Sequence, residues 1–97
     1  MNYNFEWDPN KAKSNLLKHK ISFELATSVF KDKYSISVFD EIHSENEERW
    51  ATIGKDEKTR TLVVVHTYIS QDASDYNIRI ISARKATKQE EKIYNEG

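Results

Sequence analysis

Two β-rich runs joined by a polar loop lie between Arg60 and Ala86, and they constrain the fold more than any other stretch. The first run, residues 61–68, is dense in Val and aromatic residues, which pack well on a pleated sheet. Its continuous apolar centre, residues 62–65, predicts a strand that is buried on both faces. The second run, residues 78–84, follows a loop short enough to fix antiparallel pairing. We therefore predict a central β-hairpin against which the rest of the chain packs.

Alternation along the second run assigns its side chains to the two faces of the sheet. One face is then formed by Ile78, Ile80, Ser82 and Arg84, and the other by Arg79, Ile81 and Ala83. This assignment places the two arginines of the run on opposite faces.

Helix and strand signals elsewhere predict an α+β fold. Asp8-Pro9 is typical of a helix start, because Asp8 can cap free amides and Pro9 suits the first helical position. We predict strands at 3–7, 35–39 and 47–53, and helices at 9–18, 23–30 and 88–95, the last begun by a capping box at Thr87. The expected fold is a small antiparallel β-sheet flanked by an N-terminal helical pair and a C-terminal helix, in one domain of residues 1–97.

Several classes of protein are excluded by composition. There is no Cys, so a disulfide or thiolate metal site is impossible, and with only two Gly there is no Gly-rich phosphate loop. The three His do not have metal-ligand spacing. The N-terminus lacks the apolar run of a signal peptide, and no stretch is long enough to span a membrane. We therefore expect a soluble cytoplasmic protein without a metal or cofactor.

Charge is nearly balanced, with a formal net charge of −1, which taken as a whole disfavours a nucleic-acid binder. Local potential, however, decides where a phosphate binds, and the charge is unevenly distributed. The basic clusters are Lys11, Lys13, Lys18 and Lys20, and Arg79, Arg84, Lys85 and Lys88; the acidic segment holds Asp40, Glu41, Glu45, Glu47 and Glu48. The acidic segment is typical of a solvated loop, and a docking edge for a basic partner is the alternative.

The arginines are the most informative candidates for a functional site. A guanidinium on a sheet face can hold a phosphate through its planar fork of donors. For Arg79 and Arg84 the alternative is a structural ion pair with an acid such as Glu47 or Glu48. Arg60, at a strand start, is a weaker candidate.

Four further residues each allow a functional and a structural interpretation. His66 on the central strand is either a hydrogen-bonded core residue or a general base. Lys18 and His19, at the end of the first helix, either reach a phosphate or are solvated. Trp50 either stacks on a base or packs in the core. A fifth residue, His43, is interpreted as an inert loop histidine.

Four blocks of residues in a fixed order span nearly the whole chain. They are Phe5-Glu6-Trp7-Asp8-Pro9 with Lys11, Ala12 and Asn15; Lys18-His19 with Ile21-Ser22-Phe23-Glu24, Ala26, Val29 and Phe30; His43-Ser44 with Glu47-Glu48-Arg49-Trp50 and Ile53-Gly54; and Arg79-Ile80-Ile81-Ser82-Ala83-Arg84-Lys85-Ala86 with Glu90 and Tyr94. Each block alone is weak, but as a set they are specific. With them the chain resembles the BrnT family of type II toxin–antitoxin toxins.

The resemblance implies a RelE-like ribonuclease that needs no metal, inhibits translation and is neutralised by a BrnA-like antitoxin. Its substrate is then RNA, DNA is bound only through the antitoxin, and a toxin–antitoxin heterotetramer is an assembly to expect. Cleavage would proceed by attack of the RNA's own 2′-hydroxyl on the adjacent phosphorus. The implied roles are phosphate stabilisation by Arg79 and Arg84, then by Lys18, His19 and Arg60; proton transfer by Glu48 or His66; and base binding by Trp50.

Two positions depart from the family pattern. Lys20 stands where the family commonly has Gly, and Ile69 stands where it often has Arg. Ile69 cannot supply a positive charge. We therefore expect either a weak nuclease or one that uses Arg79 or Lys20 instead. Two other functions are therefore kept as alternatives: a catalytically weak antitoxin-binding module of a regulatory complex, and a non-catalytic RNA-binding domain.

Overall fold

The computed structural model describes residues 2–44, 46–71 and 75–97, with side chains described throughout these ranges except at 69–71. Two residues singled out above, Glu45 and the side chain of Ile69, therefore lie outside the described part. The elements are β1 (Asn2–Glu6), α1 (Pro9–His19), α2 (Phe23–Ala26), a 3₁₀ helix (Thr27–Lys31), β2 (Ile36–Asp40), β3 (Arg49–Lys55), β4 (Thr61–Gln71), β5 (Asp75–Lys85) and α3 (Lys88–Glu96). No helix in this part of the chain combines the length and the apolar composition needed to cross a membrane.

The five strands form one mixed sheet in the order β1-β5-β4-β3-β2. Neighbours from β2 to β5 are antiparallel, as predicted, and β4 and β5 form the predicted hairpin. The prediction of a wholly antiparallel sheet is wrong at β1, which pairs in parallel with β5. A hairpin turn forces antiparallel pairing, whereas β1 and β5 are joined through the intervening helices and strands, which leave the direction free.

The core lies between one face of the sheet, here called the inner face, and the helical segment that follows β1. Its fully buried members are Ile21, Phe23, Ala26 and Val29 from the helical segment, and Leu62, Val64, Ile78, Ile80 and Ala83 from β4 and β5. Burying one Val, Leu, Ile or Phe side chain contributes about 1.5–3 kcal/mol to folding. This layer fixes the inner face of the sheet. The opposite face, here called the outer face, carries a second apolar strip, which includes the buried Ile53 and Val63, with charged residues beside it.

The predicted helical pair is present, but its second member is only partly α-helical. After α2 the chain tightens into the 3₁₀ helix, so the predicted helix at 23–30 is helical throughout but changes type at Thr27. Thr27 Oγ1 donates to the Glu24 carbonyl at 2.7 Å, and Ser28 Oγ donates to the Leu25 carbonyl at 2.6 Å. Side-chain hydroxyls that bond to nearby carbonyls compete with regular helical hydrogen bonds, which accounts for the change.

A β-bulge at Ile81 overturns the predicted faces of β5. Val65 on β4 pairs with Ser82, while the next residue, His66, pairs with Ile80, so Ile81 is an extra residue. Beyond the bulge the alternation is reversed, and Ala83 is buried in the core. The prediction that Ser82 and Arg84 share a face with Ile78 and Ile80 is therefore wrong.

Candidate functional site

The outer face carries arginines from two strands. Thr67 on β4 lies opposite Arg79 on β5, and Val63 on β4 lies opposite Arg84 on β5. Residues that face each other across a ladder lie on the same side of the sheet, so the bulge brings Arg79 and Arg84 to one face. Thr67 and Val63 are four residues apart, so the backbones of the two arginines are separated by about 13 Å along the strand.

A third arginine, Arg49 at the start of β3, meets Arg79 at a shared carboxylate. Glu47 Oε2 contacts Arg79 Nη2, and Glu47 Oε1 lies 3.7 Å from Arg49 Nε. That distance is too long for a hydrogen bond. Arg49 Nε is nevertheless shielded from solvent and has no hydrogen-bond partner among the described residues. Two guanidiniums thus converge on one anionic group, and one buried donor is unsatisfied.

A histidine held by an aspartate lies beside this arginine pair. His43 Nδ1 is 2.9 Å from Asp40 Oδ2, and the His43 backbone N–H donates to Asp40 Oδ1 at 3.3 Å. The hydrogen bond from His43 holds the pKa of the Asp40 carboxyl below its ordinary value. An ionised Asp40 fixes the tautomer of the ring, so Nε2 is the nitrogen that can exchange a proton with a ligand.

The loop that carries His43 is closed by Ser44. Its hydroxyl donates to the Asp40 carbonyl and accepts from the Arg49 backbone N–H at 3.0 Å. Asp40 and Arg49 are themselves paired across β2 and β3. The histidine is therefore held between the ends of two adjacent strands.

These side chains line adjoining hollows of the outer face. One hollow of about 360 Å³ is lined by His43, Glu47 and Arg49, and another of about 350 Å³ by Glu47, Glu48 and Arg79. A third runs along the sheet and brings His43 and Arg49 together with Arg84. Glu47 belongs to the first two hollows, so its carboxylate occupies their shared wall.

Arg84 is engaged in a bidentate ion pair with α3. Its Nη1 and Nη2 lie 2.7 and 2.9 Å from the two carboxylate oxygens of Glu90. The Arg84 hydrogen bond lowers the pKa of Glu90 to about 2. The same carboxylate accepts the Thr87 backbone N–H, which completes the predicted capping box. For Arg84, as for Arg79, the structure shows the ion pair of the structural alternative.

Arg60 is far from this group in the fold. It pairs with Asp56 in the turn between β3 and β4, with Nε and Nη2 at 2.9 and 2.8 Å from Asp56 Oδ2. The Asp56 side chain is fully buried and also accepts from the Lys58 and Arg60 backbone N–H groups. Arg60 therefore stabilises a turn.

His66 lies in the core, on the inner face. Its Nε2 is 2.7 Å from Thr52 Oγ1, and its ring meets Phe30 and Tyr68 edge-on at 4.8 and 5.1 Å. Burial lowers the pKa of His66 to about 4, so the ring is neutral near pH 7. The structure does not bring His66 to the arginines, and it matches the core interpretation.

The other predicted residues are divided between three places. Trp50 packs half-buried on the inner face, between the rings of Phe39 and Tyr68 at 5.4 and 5.8 Å. Lys18 and His19 line a separate hollow between α1 and β5. Glu48 lies exposed on the rim beside Arg79.

Sequence reasoning missed the residues at the centre of the outer face. The sequence predicts no role for Arg49 and an inert loop position for His43, whereas the structure places both in the hollow beside Glu47. Two spacings in the sequence indicate this cluster. Glu47 and Arg49 are two residues apart, which suits one face of a strand. Asp40 and His43 are three residues apart, which suits a turn. Within residues 2–44, 46–71 and 75–97, no three His, Asp or Glu side chains are placed to hold one metal ion.

Comparison with known proteins identifies the family. The model of the BrnT ribonuclease toxins of type II toxin–antitoxin systems matches residues 7–90. No curated protein gives a significant match. The crystal structure of the Brucella abortus ribonuclease toxin BrnT superposes with a TM-score of 0.55, covering 91% of this chain and 99% of that one at 19% identity, which shows a shared fold. The chain belongs to the BrnT family of ribonuclease toxins from type II toxin–antitoxin systems.

Proposed function

We propose that this chain is an endoribonuclease that cleaves RNA at the outer face and thereby inhibits translation. The observation that carries the proposal is the convergence of Arg49 and Arg79 on one carboxylate, with the Arg49 Nε donor left unsatisfied. A phosphodiester is an anion with several acceptor oxygens, and paired guanidiniums bind such groups well. RNA enters by replacing the Glu47 carboxylate between the two arginines.

The reaction is an internal transesterification. Glu48 takes the proton of the 2′-hydroxyl, and the 2′-oxygen attacks the adjacent phosphorus. The bond from phosphorus to the 5′-oxygen breaks, and a protonated His43, positioned by Asp40, gives its proton to that oxygen. The products are a 2′,3′-cyclic phosphate and a 5′-hydroxyl. Arg49 and Arg79 stabilise the charge that builds up on the phosphorane oxygens, so we propose that no metal is required.

The roles proposed for several residues differ from those implied by the sequence. His66 is not assigned a proton transfer, because it is buried on the opposite face. Trp50 is not assigned the binding of an RNA base, because its ring packs between two aromatic rings. Arg84 is not assigned a contact with phosphate, because Glu90 holds both of its terminal nitrogens. Its proposed role is to position α3 against β5.

A BrnA-like antitoxin is the proposed partner. A flexible acidic segment can cover the outer face and compete with phosphate for the guanidiniums. In this proposal residues 1–97 form one toxin domain of RelE-like fold that acts in the cytoplasm, where translated RNA is found. DNA is contacted through the antitoxin, in an assembly such as a heterotetramer.

Cleavage of a synthetic RNA oligonucleotide by the purified chain tests the nuclease assignment. We expect products that end in a 2′,3′-cyclic phosphate, no cleavage of a 2′-O-methyl analogue and full activity in EDTA. Arg79→Gln removes transition-state stabilisation and lowers kcat by about 10²-fold or more. His43→Gln removes the general acid and has an effect of similar size, about 10²-fold or more.

The control is Lys55→Gln, which removes a positive charge from an exposed residue of β3. It leaves kcat within about two-fold, because exposed charges outside the site contribute little. Cleavage by Arg79→Gln at the wild-type rate, in protein that melts like the wild type, would contradict the proposal.

A second candidate function is a catalytically weak, antitoxin-binding half of a regulatory complex. One observation favours it: Arg79 and Arg84 are both paired with carboxylates, as in structural ion pairs. Two measurements distinguish these functions: cleavage of the synthetic RNA, and binding to the protein encoded next to this gene. Tight binding without RNA cleavage supports the second.

A further inference from the structure

We propose that a hollow between α1 and the edge of β5 is a second phosphodiester subsite, which binds single-stranded RNA beyond the cleaved bond. The hollow, here called the α1 cradle, has a volume of about 340 Å³. Its lining includes Lys11, Ser14, Lys18, His19 and Ser82. The inference rests on the proposed function for its location beside a nuclease site, but its ligand can be tested by binding alone.

The α1 cradle is lined by several side chains that can donate hydrogen bonds, including two lysines. Lys11, Ser14 and Lys18 recur at helical spacing, so they form one stripe along α1. Among the described residues, no Asp or Glu lines the hollow. None of the ion pairs between described residues involves Lys11 or Lys18. Their charges are therefore available to a ligand, unlike those of Arg79 and Arg84.

The α1 cradle is continuous with the outer face through the bulge of β5. Ile81 and Ser82 line both the cradle and the outer-face hollow that contains Arg49 and Arg84. The β1 ladder ends at the pair Glu6 and Arg79, so β1 does not cover this part of the β5 edge. A polyanion held by Arg49 can therefore pass over Ser82 and reach the lysines of α1.

A repeating phosphate backbone fits these features better than a protein segment does. Protein partners are usually anchored by an aromatic or large apolar side chain in a desolvated pocket. Of the described side chains that line the α1 cradle, Ile81 is the one large apolar residue, and the others are Asn, Lys, Ser and His. Cations spaced along a groove are instead typical of surfaces that follow a nucleic-acid backbone without reading its sequence.

The test uses the full chain and two lengths of RNA. A dinucleotide occupies only the cleavage site, whereas a 2′-O-methyl dodecamer is not cleaved and is long enough to reach the α1 cradle. Lys18 lines the α1 cradle and not the hollows of Arg49 and Arg79, so it has no part in the proposed cleavage step. For Lys11→Gln/Lys18→Gln we therefore expect dinucleotide cleavage within about two-fold of the wild type. The Kd for the dodecamer should rise about 10-fold, and the slope of log Kd against log salt should fall by about 1.4, or about 0.7 for each charge removed.

The matched control is Lys13→Gln/Lys55→Gln, which removes the same charge from two exposed residues that do not line the hollow. We expect it to change the dodecamer Kd by less than about two-fold. Equal weakening in both double variants would mean a diffuse charge effect and would overturn the subsite. An unchanged dodecamer Kd for Lys11→Gln/Lys18→Gln would also overturn the subsite. The same holds if this variant loses binding to the antitoxin but not to RNA.

Failure of the proposed nuclease gives a different result. The wild type would then not cleave the dinucleotide, while the difference in dodecamer binding between the two double variants would remain. That result would support the α1 cradle as an RNA-binding site and reject the reaction.

Discussion

Asn15 on α1 completes the hydrogen bonding of Ala83 on β5. Its Oδ1 accepts from the Ala83 N–H at 3.1 Å, and its Nδ2 donates to the Ala83 carbonyl at 2.9 Å. Nδ2 also donates to the Ile21 carbonyl at 3.0 Å, and the side chain is buried. One amide thus replaces a neighbouring strand along the edge that β1 does not reach.

Asn15→Ala should therefore destabilise the protein strongly. It leaves buried backbone groups of Ala83 and Ile21 without partners, and the loss should be about 3 kcal/mol in the free energy of unfolding. Urea unfolding followed by circular dichroism measures this. Lys13→Ala, at an exposed position of the same helix, should cost less than about 0.5 kcal/mol. Equal effects of the two substitutions would contradict the bridging role of Asn15.

Burial of His66 should make stability depend on pH. Its pKa is about 4 in the folded state against 6.5 for a free histidine, so between these values the unfolded state binds more protons. The stabilising contribution is complete above pH 6.5 and is lost as the pH falls towards 4. Since one pKa unit corresponds to about 1.4 kcal/mol, the loss is on the order of 3 kcal/mol.

His66→Gln can keep a donor or acceptor near Thr52 and cannot be protonated. Urea unfolding at several pH values between 4 and 6.5 should show a slope in the wild type and a much flatter profile in the variant. Identical slopes would mean that another group causes the dependence. Glu90, whose pKa is lowered from 4.5 to about 2 on folding, contributes a pH dependence mainly below pH 4.5, so the slope between pH 4.5 and 6.5 distinguishes His66 from it.

The pair between Arg84 and Glu90 should couple β5 to α3 in solution. Glu90→Gln keeps an oxygen for the Thr87 cap but removes the charge, and Arg84→Gln removes the guanidinium. In a double-mutant cycle of urea unfolding we expect a coupling energy of about 1 kcal/mol, because the pair is bidentate but partly exposed. A coupling near zero would mean that Arg84 is free to bind phosphate, against its assignment as a positioning residue.

Glu47→Gln should strengthen RNA binding. The substitution removes the charge that neutralises Arg49 and Arg79, so a phosphodiester no longer competes with a carboxylate. We expect the Kd for an uncleavable 2′-O-methyl RNA to fall about five-fold, in line with the loss of one exposed ion pair. Glu57→Gln removes an acid from the distant β3–β4 turn and serves as the control. A weaker complex for the Glu47 variant would mean that its carboxylate helps to hold RNA.

Lys20→Gly should stabilise the end of α1. Lys20 adopts the left-handed conformation, with φ 62° and ψ 27°, and its N–H donates to the Leu16 carbonyl. A residue with a Cβ is strained there, so Gly should raise the free energy of unfolding by about 0.5–1 kcal/mol. Lys18→Gly, inside the helix, should lower it by about 1 kcal/mol. A loss of stability at Lys20 would show that its side chain is needed.

Local rules predicted most of the fold. The Asp8-Pro9 helix start, the capping box at Thr87 and the hairpin of β4 and β5 depend on neighbouring residues and are confirmed. The parallel pairing of β1 depends on contacts between distant parts of the chain, which local patterns do not encode. The outer-face cluster was missed for the same reason, because the bulge and the Glu47 contacts form only after the strands have paired.

The bulge at Ile81 sets the parity of everything that follows it on β5. Arg79 and Arg84 are an odd number of positions apart, so on a regular strand they would point in opposite directions. If the same sequence paired regularly, with Ile81 inside the ladder, Ala83 would turn to solvent and the Arg84 guanidinium would enter the apolar interior. A relative that lacks this one residue can pair regularly and keep both side chains on their present faces. In alignments of this region, a single misplaced gap therefore exchanges the inside and the outside of the last strand segment.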